Sequence, residues 1–219
     1  MPPRWVIAPK SPGTVWGMDK ATLRPLLLSA RERRTVDQRR QLDEALVLNI
    51  CAWIREELPP ASLPSPIVAA YVPSLDEPGG SLGEEFLRRI ASAVPKARLL
   101  LPVCPPGPPA PLRWGFYSGY LMKGRFGLLE PIAVADSLSP DSLSLADAAI
   151  LPALAANPAT GIRIGRGAGY YDRSLAYFRG RSAVTVFPDE LRHDIPADPH
   201  DVGADAVISA DGIATTERP

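Results

Sequence analysis

The stretch Gly161-Ile-Arg-Ile-Gly-Arg-Gly-Ala-Gly-Tyr-Tyr-Asp-Arg173 sets glycines at alternate positions, 165, 167 and 169, between two arginines and an aromatic-acidic run. Glycine accepts φ > 0 and, lacking a side chain, lets a ligand come against the backbone. Successive N–H groups of such a loop can converge on an anion. The N-terminus of the helix predicted to follow, through Leu175 and Phe178, adds positive potential. Arg163 and Arg166 flank the glycines and can pair with phosphate oxygens. Asp172, in the first turn of that helix, can hold Mg²⁺, which takes one or two carboxylates plus water and substrate phosphates. Tyr170 and Tyr171 offer flat faces and hydroxyls at the same place. A Gly-x-Gly-x-Gly loop can equally be an ordinary tight turn. The chain has no Gly-x4-Gly-Lys-Ser/Thr, and position 170 is Tyr, so neither the P-loop nor the Rossmann fingerprint is met. This is a different kind of phosphate loop.

Outward from the loop, strand patterns alternate with helix patterns. Leu145 to Ala155 reads as a buried strand running toward the loop, and Ile67 to Val72 and Ala97 to Leu101 as two earlier ones. Ser182 to Phe187 and Ala204 to Ser209 read as the last strands, and Leu112 to Leu129 as two weak segments around a Gly119 turn. Asp19 caps a first helix to about Arg34, where Pro25 predicts a kink or a later start. Thr35 with Gln38 forms a capping box opening a second helix, whose Leu42, Leu46, Ile50, Ile54 and Leu58 recur at i, i+4. Ser81 with Glu84 opens a third, with Leu82, Phe86 and Ile90 on one side. The expected fold is α/β: a single domain over 18–219, with a mostly parallel central sheet and helices on both faces. Ligands of such sheets bind at the carboxyl ends of the strands, and the Gly-rich turn lies at such an end.

Composition narrows the partners. Lys+Arg and Asp+Glu are both 24 in 219 residues, a formal net charge of zero, which argues against nucleic acid as the main partner. Residues 1–17 hold several prolines and no apolar core of a signal peptide, and read as a flexible leader. No apolar run approaches the ~20 residues of a membrane helix, so a cytoplasmic, membrane-free, monomeric protein is expected. Cys51 and Cys104 read as buried, reduced thiols, and His193 and His200 as surface loop residues without metal-ligand spacing. Prolines at 59–66, 102–111 and 188–199 mark loops.

Further segments bear on identity. Arg163-Ile-Gly-Arg-Gly-Ala-Gly-Tyr-Tyr-Asp172 is accompanied in order by Lys20-Ala-Thr-Leu-Arg24, Tyr71-Val-Pro-Ser-Leu-Asp-Glu77, Phe126-Gly-Leu-Leu-Glu-Pro131, Leu151-Pro-Ala-Leu154 and Ile195-Pro-Ala-Asp-Pro-His-Asp201. Together they resemble the 5-formyltetrahydrofolate cyclo-ligase family over about residues 19 to 209, the Gly-Tyr-Tyr-Asp loop being the specific element. The resemblance implies ATP- and Mg²⁺-dependent closure of 5-formyltetrahydrofolate to 5,10-methenyltetrahydrofolate, with release of ADP and phosphate.

It further implies that ATP meets Lys20, Arg24, Arg163, Gly165, Arg166, Gly167, Ala168, Gly169, Tyr170 and Tyr171. The folate would meet Val72, Glu77, Phe126, Arg166 and Tyr170. Arg166, Tyr170 and Asp172 would serve the chemistry, and Asp172 and Asp201 would hold magnesium. Glu77 suits the paired N–H donors of a pterin; Phe126 is either a stacking residue or a core residue, and Trp114 belongs to core or rim. Many family members carry Lys where this chain has Ala168, and the loop after Glu77 reads Pro-Gly-Gly. Two other readings remain open on sequence: a non-catalytic folate-binding relative, and an ATP-dependent ligase of another small acid.

Overall fold

The structure, a computed structural model, describes residues 19–59, 63–132, 139–198 and 201–217. The leader and His200 lie outside them. Helices α1 (Lys20–Glu32) and α2 (Val36–Glu57) come first, then strand β1 (Ile67–Ala69), helix α3 (Glu84–Ala91) and strands β2 (Arg98–Val103), β3 (Arg113–Phe116), β4 (Leu121–Lys123) and β5 (Leu129–Pro131). Strands β6 (Ala148–Pro152), β7 (Ala155–Ala156) and β8 (Arg163–Ile164) precede α4 (Tyr170–Leu175). Strands β9 (Arg181–Thr185), β10 (Ala206–Ser209) and β11 (Gly212–Thr215) close the fold.

The main sheet has seven strands in the order β11-β10-β9-β6-β1-β2-β3. Its five central strands are parallel, and the edge strands β3 and β11 are antiparallel. The pleat sorts side chains by parity. Val68, Leu99, Leu101, Ile150, Ala183 and Ile208 face α2 and α3, packing on Leu46, Ile50, Ile54, Phe86 and Ile90. Ala69, Leu100, Ala149, Leu151, Val184 and Val207 face the opposite layer, which holds Trp114, Leu143 and Phe178. Both faces are covered as expected, but unequally. Among the described residues, the second face carries the six-residue α4 and a 3₁₀ helix at Pro140–Leu145.

Local readings were corrected at several points. Helix α1 starts at Lys20 with Asp19 as its cap and runs on through Pro25. A proline at the sixth helical position forfeits one backbone bond, and Leu23 and Leu27, buried against Leu154 and Ile164, hold the helix in place. The capping box of α2 forms as read. Ser81 does not cap α3; Gly83 precedes that helix, and both the Ser81 amide and hydroxyl are drawn to the buried Asp43 of α2. The segments on either side of Gly119 do not pair with each other: β3 joins β2, and β4 joins β5. Helix α4 stops at Leu175, before Phe178, and β11 is an additional last strand. Cys51 is buried, Cys104 only half-buried, and both are free thiols. Trp114 belongs to the core and His193 is exposed.

Successive connections leave β1 in opposite directions: through α3 to β2 on one side, and eventually to β6 on the other. The loops after β1 and β6 therefore diverge at their carboxyl ends, leaving the crevice where α/β sheets bind ligands.

Candidate active site

A cavity of about 750 Å³ opens at this switch point. It is lined by the loop after β1, the loop after β2, the β4–β5 hairpin, the start of α1 and the Gly-rich loop between β8 and α4. Lys20, Arg24, Val72, Glu77, Phe126, Arg163, Gly165, Arg166, Gly167, Ala168, Gly169, Tyr170, Tyr171, Asp172 and Asp201 all face it. These residues are spread over some 180 positions of chain, and the sheet brings all of them to one wall or another. A smaller cavity of about 380 Å³ lies on the far side of Arg163, which lines both.

The Gly-rich loop is shaped by positive φ at Gly167 (100°) and Gly169 (68°), the latter being the N-cap of α4. Gly165 is different. Its φ is ordinary, and a Cβ added there would meet nothing within 4 Å. Packing does not require a glycine at this position, and the lack of a side chain leaves the backbone open to the cavity. The loop is held from outside: Arg24 Nε donates to the Gly165 carbonyl (3.0 Å), and Arg173 donates to the Ala168 carbonyl (2.8 Å).

The cations at this end are already engaged. The Arg163 guanidinium is buried and donates to Asp172 and to the Val202 carbonyl. Burial lowers its pKa against the opposing pull of Asp172 and Asp201. Lys20 of α1 donates to Asp198 (2.7 Å) and Asp201. Burial alone would lower the Lys20 pKa, but these two carboxylates outweigh it and hold it above the usual value. Burial also pushes the Tyr171 hydroxyl well up, so it stays protonated.

Across the cavity lies the acidic loop. Glu77 Oε2 accepts from the Ser74 amide and hydroxyl, both 2.9 Å, which fixes the carboxylate on its own turn. Tyr71, buried beneath, shares a hydrogen bond with Thr185 and donates to the Pro78 carbonyl. Arg166 reaches over from the Gly loop to Asp76 (2.7 Å) and Glu77 (3.2 Å), so one guanidinium ties the two halves together. Burial would raise the Asp76 carboxyl, but the Ser74 hydroxyl and Arg166 outweigh it and keep it below 3.8.

At the other end, Phe126 takes φ 58° and ψ 15° and is 66% exposed at the rim. A left-handed phenylalanine is uncommon, and such strain collects at functional sites. The exposure answers the core-or-stacking question left by the sequence: Phe126 is not a core residue. Arg125 lies over its ring at 4.6 Å.

Magnesium can be tested against the donors present. Among the described residues no three His, Cys, Asp or Glu side chains cluster as a metal cage. Asp172 and Asp201 face one cavity, Asp172 paired with Arg163 and Asp201 with Lys20. This donor set suits an ion that keeps its waters and arrives with a nucleotide, as Mg²⁺ does, since one or two carboxylates then suffice.

Several lining residues were not singled out from sequence. Ser74, Asp76 and Asp198 lie inside the quoted segments, and only the fold shows that they hold Glu77, Arg166 and Lys20. Arg31, on α1, is buried in an ion pair with Glu190 and also donates to the Ala153 carbonyl. Nothing local distinguishes it from the other arginines of that helix. Arg125 sits beside Phe126, and its neighbour was the only signal.

Comparison with known proteins agrees with this geometry. The model of the 5-formyltetrahydrofolate cyclo-ligase family matches residues 17–210. A protein of Mycolicibacterium smegmatis named 5-formyltetrahydrofolate cyclo-ligase is 37% identical over 180 residues, covering 80% of this chain and 89% of its own. The fold resembles 5,10-methenyltetrahydrofolate synthetase of Aquifex aeolicus, with a TM-score of 0.68, 24% identity and coverage of 90% of this chain and 93% of the other. It also resembles the synthetase of Mycoplasma pneumoniae, with a TM-score of 0.63, 21% identity and coverage of 88% and 99%. A family match across most of the length, joined to a relative at this identity, decides the matter: the chain belongs to the 5-formyltetrahydrofolate cyclo-ligase family.

Proposed function

We propose that the chain is a ligase of one-carbon folate metabolism that closes 5-formyltetrahydrofolate to 5,10-methenyltetrahydrofolate at the expense of ATP. The observation that carries this reading is Arg166. It spans from a glycine loop suited to phosphates to a fixed carboxylate suited to a pterin, within a single cavity.

ATP lays its phosphates along Gly165 to Gly169, with Lys20, Arg24 and Arg166 neutralising their charge. Arg163 acts one step back, holding Asp172 at the edge of the loop. Asp172 and Asp201 would hold magnesium, which would supply charge neutralisation at the phosphates. Glu77 receives the N–H donors of the pterin, Val72 gives that pocket an apolar wall, and Phe126 stacks on the aromatic part of the substrate. Tyr170 and Tyr171 close the nucleotide side.

The formyl oxygen attacks the γ-phosphorus and ADP leaves, giving a phosphorylated imidate at N5. N10 then adds to the formyl carbon and loses its proton. Phosphate departs with the former formyl oxygen. Positioning and charge stabilisation do the catalysis, and no protein nucleophile is required. We read the working form as a cytoplasmic monomer acting without nucleic acid or membrane, a reading supported by the zero net charge and by one chain's lining the cavity.

Oxygen tracing tests the chemistry. With ¹⁸O in the formyl group, the label should appear in inorganic phosphate in step with methenyl product. Unlabelled phosphate would contradict attack by the formyl oxygen.

A further inference from the structure

The cavity has a second pole whose cation the reaction just described does not use. Following the strand order, the Gly loop lies beside β6, Glu77 follows the neighbouring β1, and the loop after β2 comes next, with the β4–β5 hairpin beyond it. The hairpin forms a sheet of its own, separate from the seven-stranded one, and packs against β2. In the reading above, the pterin sits at Glu77 and the aromatic part of the substrate on Phe126, so the glutamate that follows it would lie at this hairpin, in the same cavity.

Arg125 lines the cavity at that pole. Its Nη1 donates to the carbonyls of Pro105 (2.7 Å) and Gly107 (2.6 Å), which fixes the guanidinium over the proline-rich loop. Its Nε and Nη2 make no hydrogen bond among the described residues. Those two groups form the edge of a guanidinium that meets a carboxylate in a bidentate pair. By contrast, Lys20, Arg31, Arg163 and Arg166 are each ion-paired, and Arg24 is held on the Gly loop through its Nε, where the reaction above uses it. The nearby acid, Glu130, is buried and accepts from the Cys104 amide, without an ion pair to Arg125. The Arg125 guanidinium also lies over the Phe126 ring, so an aromatic group stacked on Phe126 brings its substituent beside it.

We propose that Arg125 anchors a carboxylate of the substrate's glutamate tail, making the glutamate, and not the pterin alone, a specificity element of the site. This rests on the folate reading above. A bidentate ion pair present equally in the bound substrate and the transition state lowers KM and leaves kcat unchanged.

The test compares 5-formyltetrahydrofolate with 5-formyltetrahydropteroate, which lacks the glutamate, on the full chain and on Arg125→Ala and Arg125→Lys. The wild-type protein should show a KM about tenfold lower for the glutamate-bearing substrate, the worth of one charge-assisted pair. Arg125→Ala should lose that advantage for the glutamate substrate and keep the wild-type KM for the pteroate, and Arg125→Lys should recover part of it. Equal wild-type KM values overturn the proposal, whatever the variants do. A rise in KM for both substrates in Arg125→Ala also overturns it, because Arg125 would then act only through the 105–107 loop. If the wild-type protein turns over neither compound, the folate reading itself falls, a result distinct from both.

Discussion

An added methyl at Gly165 has open space before it, whereas at Gly80 the same methyl would lie 2.1 Å from the Ser74 carbonyl. The two glycines therefore separate ligand approach from folding. Gly165→Ala should keep the melting temperature within about a degree of wild type, since no mechanism of destabilisation applies, while ATP-dependent turnover falls at least tenfold. Loss of stability in step with activity would show a structural role instead. Ala168 is exposed on the same loop, and its side chain offers no charge. Ala168→Lys should lower the KM for ATP severalfold by adding a phosphate contact, and an unchanged value would mean that no contact is missing. Asp76 gives a pH signature. Its folded-state pKa lies below 3.8, so its stabilising contribution is complete above 3.8 and is lost progressively as the pH falls through the folded value. Asp76→Asn should flatten that part of the acid limb in a denaturation series; an identical limb would mean that the Asp76 carboxylate does not contribute to it. The glycines and arginines of this loop were legible because spacing and residue type alone carry the chemistry.

Helix α1 shows what an element adds to its residues. Its N-terminal half presents Lys20 to Asp198 and Asp201 and Arg24 to the Gly loop, and its last turn buries Arg31 against Glu190, with both side chains 1% exposed. Removing one partner of a buried pair costs about 3–5 kcal/mol where it leaves the other charge unpaired; here Arg34 Nη1 stays 3.5 Å from Glu190 Oε1, so the low end of that range applies. Arg31→Met should therefore lower stability by that order in urea titration, and a double replacement with Glu190→Gln should recover much of it. If the single and double variants unfold together, the pair is not the determinant. The cap at Asp19 and the box at Thr35 could be read because capping is local. Continuation through Pro25 could not, since it depends on Leu23 and Leu27 packing on Leu154 and Ile164, residues more than a hundred positions away. Ser81 failed for the same reason: Asp43, from another helix, captured the groups that would have capped α3.

For the molecule as a whole, alternating elements indicated a parallel sheet, but the reversal of direction at β1 is a matter of strand order, which no local pattern encodes. That reversal joins loops separated by about half the chain into one cavity. Family motifs pointed to the same residues, while Arg125 and the buried Arg31–Glu190 pair emerged only from packing. Because ligands that bind only the folded state stabilise it, Mg²⁺ and ATP at ~100 times Kd should add about 2.7 kcal/mol and raise the melting temperature by roughly 5–10 °C.

The most direct measurement mixes purified protein with 5-formyltetrahydrofolate, ATP and Mg²⁺ and follows the methenyl-folate absorbance band. The expected result is a rise that requires both ATP and Mg²⁺ and is abolished in Asp172→Asn, whose fold is retained. A folded protein that binds the folate tightly by calorimetry but produces no rise would contradict the catalytic reading and leave a binding relative of the family.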